Sequence, residues 1–351
     1  MKKSAVVGGV VVVLVAAWLG ATWYTGKRLE AEAPARLDEL NQRLAQSLPD
    51  YGLKFEQISF ERGFFSSHAR YGLTMVGKGR TPDQPAVPAG VLQFDAVAYH
   101  GPLPLQALAH GSLMPQLAWV HGEVVQTDGL KDVFEATHGK TPLWSDTAFS
   151  YGGDTHGTGG VAPFDFVFQG HKAAFGGMQV QSSYTRSTQG LQSTMVFPSL
   201  TLEGADLGNG QLSIKTDMQS LVIDPLVWKN DKGEGRAVVT VTGQVPPPGA
   251  QGDAAKPVIQ SVSARVVLSK PMLGELGSRY LAAMQGMSPQ DADHQAARQL
   301  AGLSGVGQML GLVRNDGDNL VSELQYANGK LSLNGRERDV GQVGRMVPGI
   351  P

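Results

Sequence analysis

The chain has 351 residues, 42% of them hydrophobic and 17% charged, with a net charge of −2 and no cysteine. The charged share is too small for a disordered polyelectrolyte, and with no basic excess to neutralise phosphates a nucleic-acid partner is excluded. The missing cysteines exclude disulfides, Cys-ligated zinc, iron–sulfur clusters, thiol catalysis and a lipid carried on a cysteine.

Residues 1–26 read as a cytoplasmic tip and a transmembrane signal anchor. Lys2 and Lys3 precede an uncharged run from Ser4 to Thr25, long enough to cross a hydrocarbon core as a helix. Val10, Val11, Val12, Val13, Leu14, Val15 and Leu19 supply its hydrophobicity. Trp18, Trp23 and Tyr24 gather at its far end, as an aromatic belt does. The rival reading is a cleavable signal peptide, but Leu19 occupies the slot where a cut after Ala21 requires a small residue. The expected arrangement is single-pass in a bacterial inner membrane, N-terminus inside, with the bulk of the chain periplasmic.

Residues 27–49 read as an amphipathic helix. Leu29, Ala33, Leu37, Leu40, Leu44 and Leu48 form one stripe at helical spacing, and Pro49 ends it. The stripe is expected to pack on the protein's own β-domain; a homodimeric coiled coil is the alternative.

Residues 50–269 read as a β-rich periplasmic domain, because period-two alternation takes over. Tyr71, Leu73 and Met75 show it, as do Phe164, Phe166 and Phe168. Leu212, Ile214 and Met218 share a face, and so do Val262, Ala264, Val266 and Leu268. These are expected to be half-buried antiparallel strands in a large curved sheet or sandwich. The parity slips between Phe55 and Ile58, which predicts a bulge or a bend there. Thr81–Gly90, Gly152–Gly160 and Val245–Pro257 read as loops, the last as a linker or a hairpin tip. Residues 270–313 read as a helical insertion. Leu273, Leu276, Tyr280 and Met284 mark its first helix, and Ser288-Pro289 caps a second with Ala292, Ala296, Leu300 and Leu303 on one stripe. Residues 314–351 complete the β-domain with a hairpin around Asn328-Gly329, followed by a tail. The fold class is therefore mainly β (α+β).

No motif carries chemistry. The eight His are scattered without metal-ligand spacing, so neither metal nor cofactor is expected. Gly139-Lys140-Thr141 fails as a phosphate loop, since Phe134 stands where glycine is required. One alternative keeps an enzyme in view: a hydrolase at the Gly152–Gly160 loop, built on Gly153, Asp154, His156 and Gly157. Arg62-Gly63-Phe64-Phe65-Ser66 has a structural reading. Gly63 would permit a positive φ or a bulge, Phe64 or Phe65 would plug the core, and Arg62 would cap or pair. Asn334-Gly335 reads as a strand-ending turn.

Four segments together resemble a known family: Tyr24-Thr25-Gly26-Lys27, the amphipathic stretch behind it, Tyr51 through Arg62-Gly63-Phe64-Phe65-Ser66-Ser67, and Asn328-Gly329-Lys330-Leu331-Ser332-Leu333-Asn334-Gly335. They resemble the YdgA-like family of bacterial envelope proteins, defined by a domain of unknown function. The resemblance runs the length of the chain and is motif-specific at its two ends. It implies an inner-membrane-anchored periplasmic protein of Gram-negative bacteria and brings no catalytic residues. A more distant likeness, in architecture only, is to AsmA-like envelope proteins. The expected function is non-enzymatic: a lipid- or protein-binding module, or alternatively a dimeric structural spacer.

Overall fold

The computed structural model describes residues 22–45 (except 23, 29, 36 and 43), 52–75, 90–244 (except 110 and 112) and 258–338. The expected anchor residues Val10, Val11, Val12, Val13, Leu14, Val15, Trp18, Leu19 and Trp23 lie outside these; Tyr24 is described, helical and exposed. Among the described residues no helix is long and apolar enough to cross a membrane. The chain is mainly β and divides into two compact units at Ala162/Pro163, so the stretch 50–269 is shared between them.

The first unit is an antiparallel meander: β1 (Leu53–Arg62), β2 (Ser66–Met75), β3 (Gly90–His100), β4 (Ala118–Val124), β5 (Leu143–Phe149) and β6 (Thr155–Val161). Short helices α2 (Leu105–Ala109) and α3 (Lys131–Ala136) lie in the β3–β4 and β4–β5 connections. The β1–β2 register shifts between Gln57 and Ser59, the bulge expected at Ile58. The amphipathic segment is helix α1, over 22–45, and it continues through Pro34. Its Asn41 carboxamide stands in for a neighbouring strand at the edge of β1. Nδ2 donates to Phe55 O at 2.8 Å, and Phe55 N donates to Oδ1 at 2.7 Å. Two edge groups that would template a foreign strand are thereby satisfied.

The second unit begins with β7 (Phe164–Phe168), β8 (His171–Phe175), β9 (Met178–Thr185) and β10 (Gly190–Leu202). β11 (Ala205–Thr216), β12 (Ser220–Asn230), β13 (Gly233–Gln244) and β14 (Val258–Ser269) follow. The long β10 pairs β8 with one half and β9 with the other; from β10 to β14 each strand pairs the next. β13 and β14 pair as far as Gln244 and Val258; the Val245–Pro257 segment expected as a linker or hairpin tip lies outside the described residues. Both register shifts beside β12 fall around Pro225, which has no N–H to give a ladder. Two expectations need correcting. Met218 lies in the β11–β12 turn, outside the strand face. In β7, Phe166, Val167 and Phe168 are all exposed, so that strand lacks a half-buried apolar face.

Helices α4 (Lys270–Gln285) and α5 (Pro289–Met309) form the expected insertion. Ser288 Oγ accepts from Asp291 N at 3.2 Å with Pro289 at the first helical position, and Gly286 ends α4 at φ 62°. Leu281, Ala292 and Ala296 make the contact between the helices. The stripe is one residue out from its expected position: Leu281 is buried and Tyr280 exposed. β15 (Arg314–Asp316), β16 (Asn319–Ala327), β17 (Lys330–Leu333) and β18 (Arg336–Arg338) complete the unit, β16 pairing with β14. Asn328-Gly329 and Asn334-Gly335 both have two successive positive φ angles, the two-residue turn that matches strand twist.

Candidate functional site

The Arg62–Ser66 motif is the tip of the β1–β2 hairpin. Gly63 N donates to Ser66 O at 2.8 Å. The glycine is there for space rather than for a positive φ: an added Cβ would stand 2.7 Å from that same Ser66 oxygen. Neither phenylalanine plugs the core. Phe64 is 45% and Phe65 40% exposed, and the rings meet edge-on with centroids 4.8 Å apart. The expected core plug is thus an outward aromatic pair, because a three-residue tip has no layer above it to pack against. Arg62 does pair, its Nε lying 2.9 Å from Glu30 Oε2 on α1.

Behind this tip lies His100, at the end of β3, and it is 2% exposed. Its Nδ1–H donates to Thr22 O at 3.2 Å, which leaves Nε2 to accept from Ser67 Oγ, also 3.2 Å away. His100 N donates to Phe65 O at 3.0 Å. Burial pushes the imidazole pKa below its ordinary value; the Thr22 and Ser66 backbone groups pull the other way, and the Arg62 charge adds to the lowering. Thr22, Thr25 and Ser67 are buried around it. With both ring nitrogens engaged, His100 has none left for a substrate. It fastens α1 to the sheet end, and the aromatic tip is held at that junction. No spacing marks this group, since Thr22, Ser67 and His100 are far apart in sequence.

The second motif closes β17 onto β18. Asn334 N donates to Glu323 O at 2.7 Å, its Oδ1 accepts from Glu323 N at 2.8 Å, and its Nδ2 donates to Gly311 O at 2.9 Å. It is a structural clamp between β16 and the end of α5.

The Gly152–Gly160 loop is corrected. Only the turn around Tyr151–Gly153 is a loop; Thr155 onward is strand β6, paired residue by residue with β5. The glycines allow close approach of β5. An added Cβ at Gly157 would meet Asp146 O at 2.8 Å, and one at Gly159 would meet Trp144 O at 3.0 Å. Gly153 takes a positive φ in the turn, and Asp154 N donates to Ser150 Oγ at 2.9 Å. The His156 side chain is exposed opposite Ala148 and makes no hydrogen bond or ion pair among the described residues, so the hydrolase alternative lacks a partner for its base. A His–carboxylate pair missed by sequence reasoning lies nearby: His121 Nδ1–H donates to Asp146 Oδ1 at 2.9 Å across β4 and β5. Strand register alone brings these two together. Among the described residues no cluster of three ligand-type side chains could hold a metal ion.

The second unit carries a continuous apolar row. Ile214, Ile223, Val239, Ala264, Leu324 and Leu333 are register partners across β11, β12, β13, β14, β16 and β17. All six are half-buried. Leu212, Leu226, Ala237 and Val266 make a parallel row, as do Leu221, Val241 and Val262. At the α4 end Met272 covers Gly235, and Met272 and Leu320 are buried.

The sequence matches the family model described as "Bacterial protein of unknown function (DUF945)" over residues 1–219 and 217–340. It is 21% identical to Protein YdgA of Escherichia coli (strain K12), over 96% of this chain and 95% of that one. Against the uncharacterized protein YihF of the same organism it is 31% identical, over 47% of this chain and 34% of that protein. An uncharacterized protein of Haemophilus influenzae (strain ATCC 51907 / DSM 11121 / KW20 / Rd) is 30% identical over 43% of this chain and 40% of its own. No solved structure matches. Matched over both units and along nearly its whole length, the chain belongs to the DUF945 family of bacterial proteins, the YdgA-like family.

Proposed function

We propose that this protein is a non-enzymatic module of the bacterial cell envelope, tethered to the inner membrane by the part of its uncharged run that precedes Thr22, with its β-rich units on the periplasmic side, and that it binds the acyl part of a lipid. The observation that carries the binding reading is the Ile214–Ile223–Val239–Ala264–Leu324–Leu333 row. It spans six strands without a charge and remains half-buried in a unit whose other face is rich in Ser and Thr. Apolar surface of that extent suits an apolar ligand. The tether reading is supported by the length of the uncharged run and by Lys2 and Lys3 before it.

Full-length protein in vesicles containing a lipid with a photoreactive acyl chain tests the binding. Adducts are expected on β12, β13 and β16 at the row, and Val239→Glu should abolish them there. Adducts confined to the N-terminal run would sink the lipid reading. The tether is tested separately, by resistance to alkaline extraction and by an intact Met1 or Lys2 at the mature N-terminus.

A further inference from the structure

The meander of the first unit places the β1–β2, β3–β4 and β5–β6 connections at one end of its sheet and the β4–β5 connection at the other. The two ends differ in chemistry. The β4–β5 connection carries Asp128, Lys131, Asp132, Glu135 and Lys140. At the opposite end, the Gly63–Phe65 tip has no charge, and neither has the whole stretch from Gly101 to Leu117; Asp154 is the one acidic or basic residue in the β5–β6 turn. That uncharged end is also where large apolar side chains face outward. Phe64 and Phe65 are exposed there, with Leu105, Leu113 (78%), Met114 (74%) and Tyr151. Six exposed large apolar side chains gather at this end, against Val133 and Leu143 at the β4–β5 end, with only Arg62 and Asp154 as charges beside them; a cluster of that size marks a surface made to be covered.

The fastening of α1 indicates what covers it. The end of the uncharged N-terminal run reaches this same end of the sheet. Thr22 O accepts from His100, an added Cβ at Gly101 would meet Thr22 Oγ1 at 2.5 Å, and His100 N holds Phe65 O. β1 runs back along α1 from the Asn41–Phe55 clamp to the Glu30–Arg62 pair, and the tip then continues past Glu30 towards Thr25. Exposed Tyr24 stands at that level, and the nearest charges on α1 are Lys27, Arg28 and Glu30. Aromatic and apolar side chains beside the last residues of a membrane-spanning run, with charges just beyond, form the pattern of a headgroup boundary.

We infer that the Phe64–Phe65 tip and the Leu113–Met114 segment insert into the outer boundary of the bilayer that holds the anchor, so that the first unit lies on the lipid surface with this end down. The inference rests on the tether proposed above and is independent of the acyl-binding row.

The chain contains no cysteine, so a single one can be placed and labelled with an environment-sensitive fluorophore. Phe64→Cys, Leu113→Cys and, at the charged end, Val133→Cys would each be labelled in the full-length protein reconstituted into phosphatidylethanolamine/phosphatidylglycerol vesicles. Some of the phospholipid would carry a nitroxide near the headgroup. Labels at 64 and 113 should be quenched by the lipid nitroxide at least threefold more than the label at 133, and shielded from aqueous iodide. Equal lipid quenching at the three sites, with the protein still resisting alkaline extraction, overturns the inference while leaving the tether standing. Iodide shielding without lipid quenching would assign the end to a protein partner or a second copy, and also overturns it. Release of the protein by alkaline extraction refutes the tether and this inference together.

Discussion

Gly26→Ala puts the α1–sheet junction to a test in which two physical effects oppose each other. In an exposed helix interior the change would stabilise by about 1 kcal/mol, because glycine pays the larger backbone entropy. At Gly26 the new methyl carbon would stand 2.5 Å from His100 Cε1, 2.9 Å from Nε2 and 3.0 Å from Nδ1. The ring cannot swing aside. It is buried, with Thr22 O holding one nitrogen and Ser67 Oγ the other. Overpacking of this kind costs about 1–3 kcal/mol, so the clash outweighs the propensity and α1 should loosen by about 1 kcal/mol net. Removing the ring should reverse the sign. In a His100→Ala background the methyl has room, the propensity term returns, and Gly26→Ala should stabilise by about 1 kcal/mol, a coupling of about 2 kcal/mol. Native-state amide exchange of Tyr24 to Arg28, measured on the full-length protein in detergent, reports the local opening without requiring the two units to unfold together. If Gly26→Ala slows exchange equally with and without the imidazole, His100 is not packed on α1 as described.

Three further outcomes follow from the same contacts. The pKa of His100 is lowered in the fold, so the undocked chain takes up the proton first as pH falls; docking of α1 should be at full strength above about pH 6.5 and weaken below it, and His100→Gln should flatten that dependence in amide exchange. Asn334→Ala should cost about 2–3 kcal/mol, through the lost bonds to Glu323 N and Gly311 O and the φ of 51°. Asn334→Gly restores the turn without the bonds and should recover only about 1 kcal/mol of that loss in chemical denaturation. Asn41→Ala should leave the Phe55 amide open to solvent and speed its exchange roughly tenfold, with the β1–β2 ladder beyond it unchanged.

What could be read from the sequence was local. Asn328-Gly329 announces its hairpin because both residues tolerate positive φ, and Ser288-Pro289 announces a helix start because the cap needs nothing beyond the next turn. The slip at Ile58 shows because a bulge shifts parity within its own strand. What could not be read depended on a distant partner. The glycines of β6 look like loop glycines until β5 stands beside them, with Asp146 O and Trp144 O where side chains would go. Phe64 and Phe65 look like core aromatics until the hairpin leaves them at a tip. His100 looks like any strand histidine until α1 returns its Thr22 carbonyl from 78 positions away. The candidate site at the α1 junction was therefore visible only as a motif at Arg62–Ser66, without its mechanical role.

The amphipathic stripe raises a question of the same kind, whether α1 serves its own sheet or a second copy. Ala33, Leu37 and Leu44 are half-buried, and Leu40 is 41% exposed. The stripe is thus only partly covered, and burial alone does not choose. The polar contacts do. To pair with another α1 along the stripe, the helix would have to leave β1, giving up both Asn41 bonds, the His100–Thr22 bond and the Arg62–Glu30 pair. At about 1 kcal/mol for each hydrogen bond and less for the exposed ion pair, the loss is about 3–4 kcal/mol per chain. It would also bare the edge of β1. A coiled coil of under three heptads offers little to offset that. A single cysteine at Leu37 in the full-length protein should therefore give no disulfide-linked dimer under mild oxidation, whereas the same cysteine combined with Asn41→Ala and His100→Ala, which free the helix, should give one. Efficient crosslinking at Leu37 with Asn41 and His100 intact would show that α1 is shared between copies and that the edge of β1 is covered by something else.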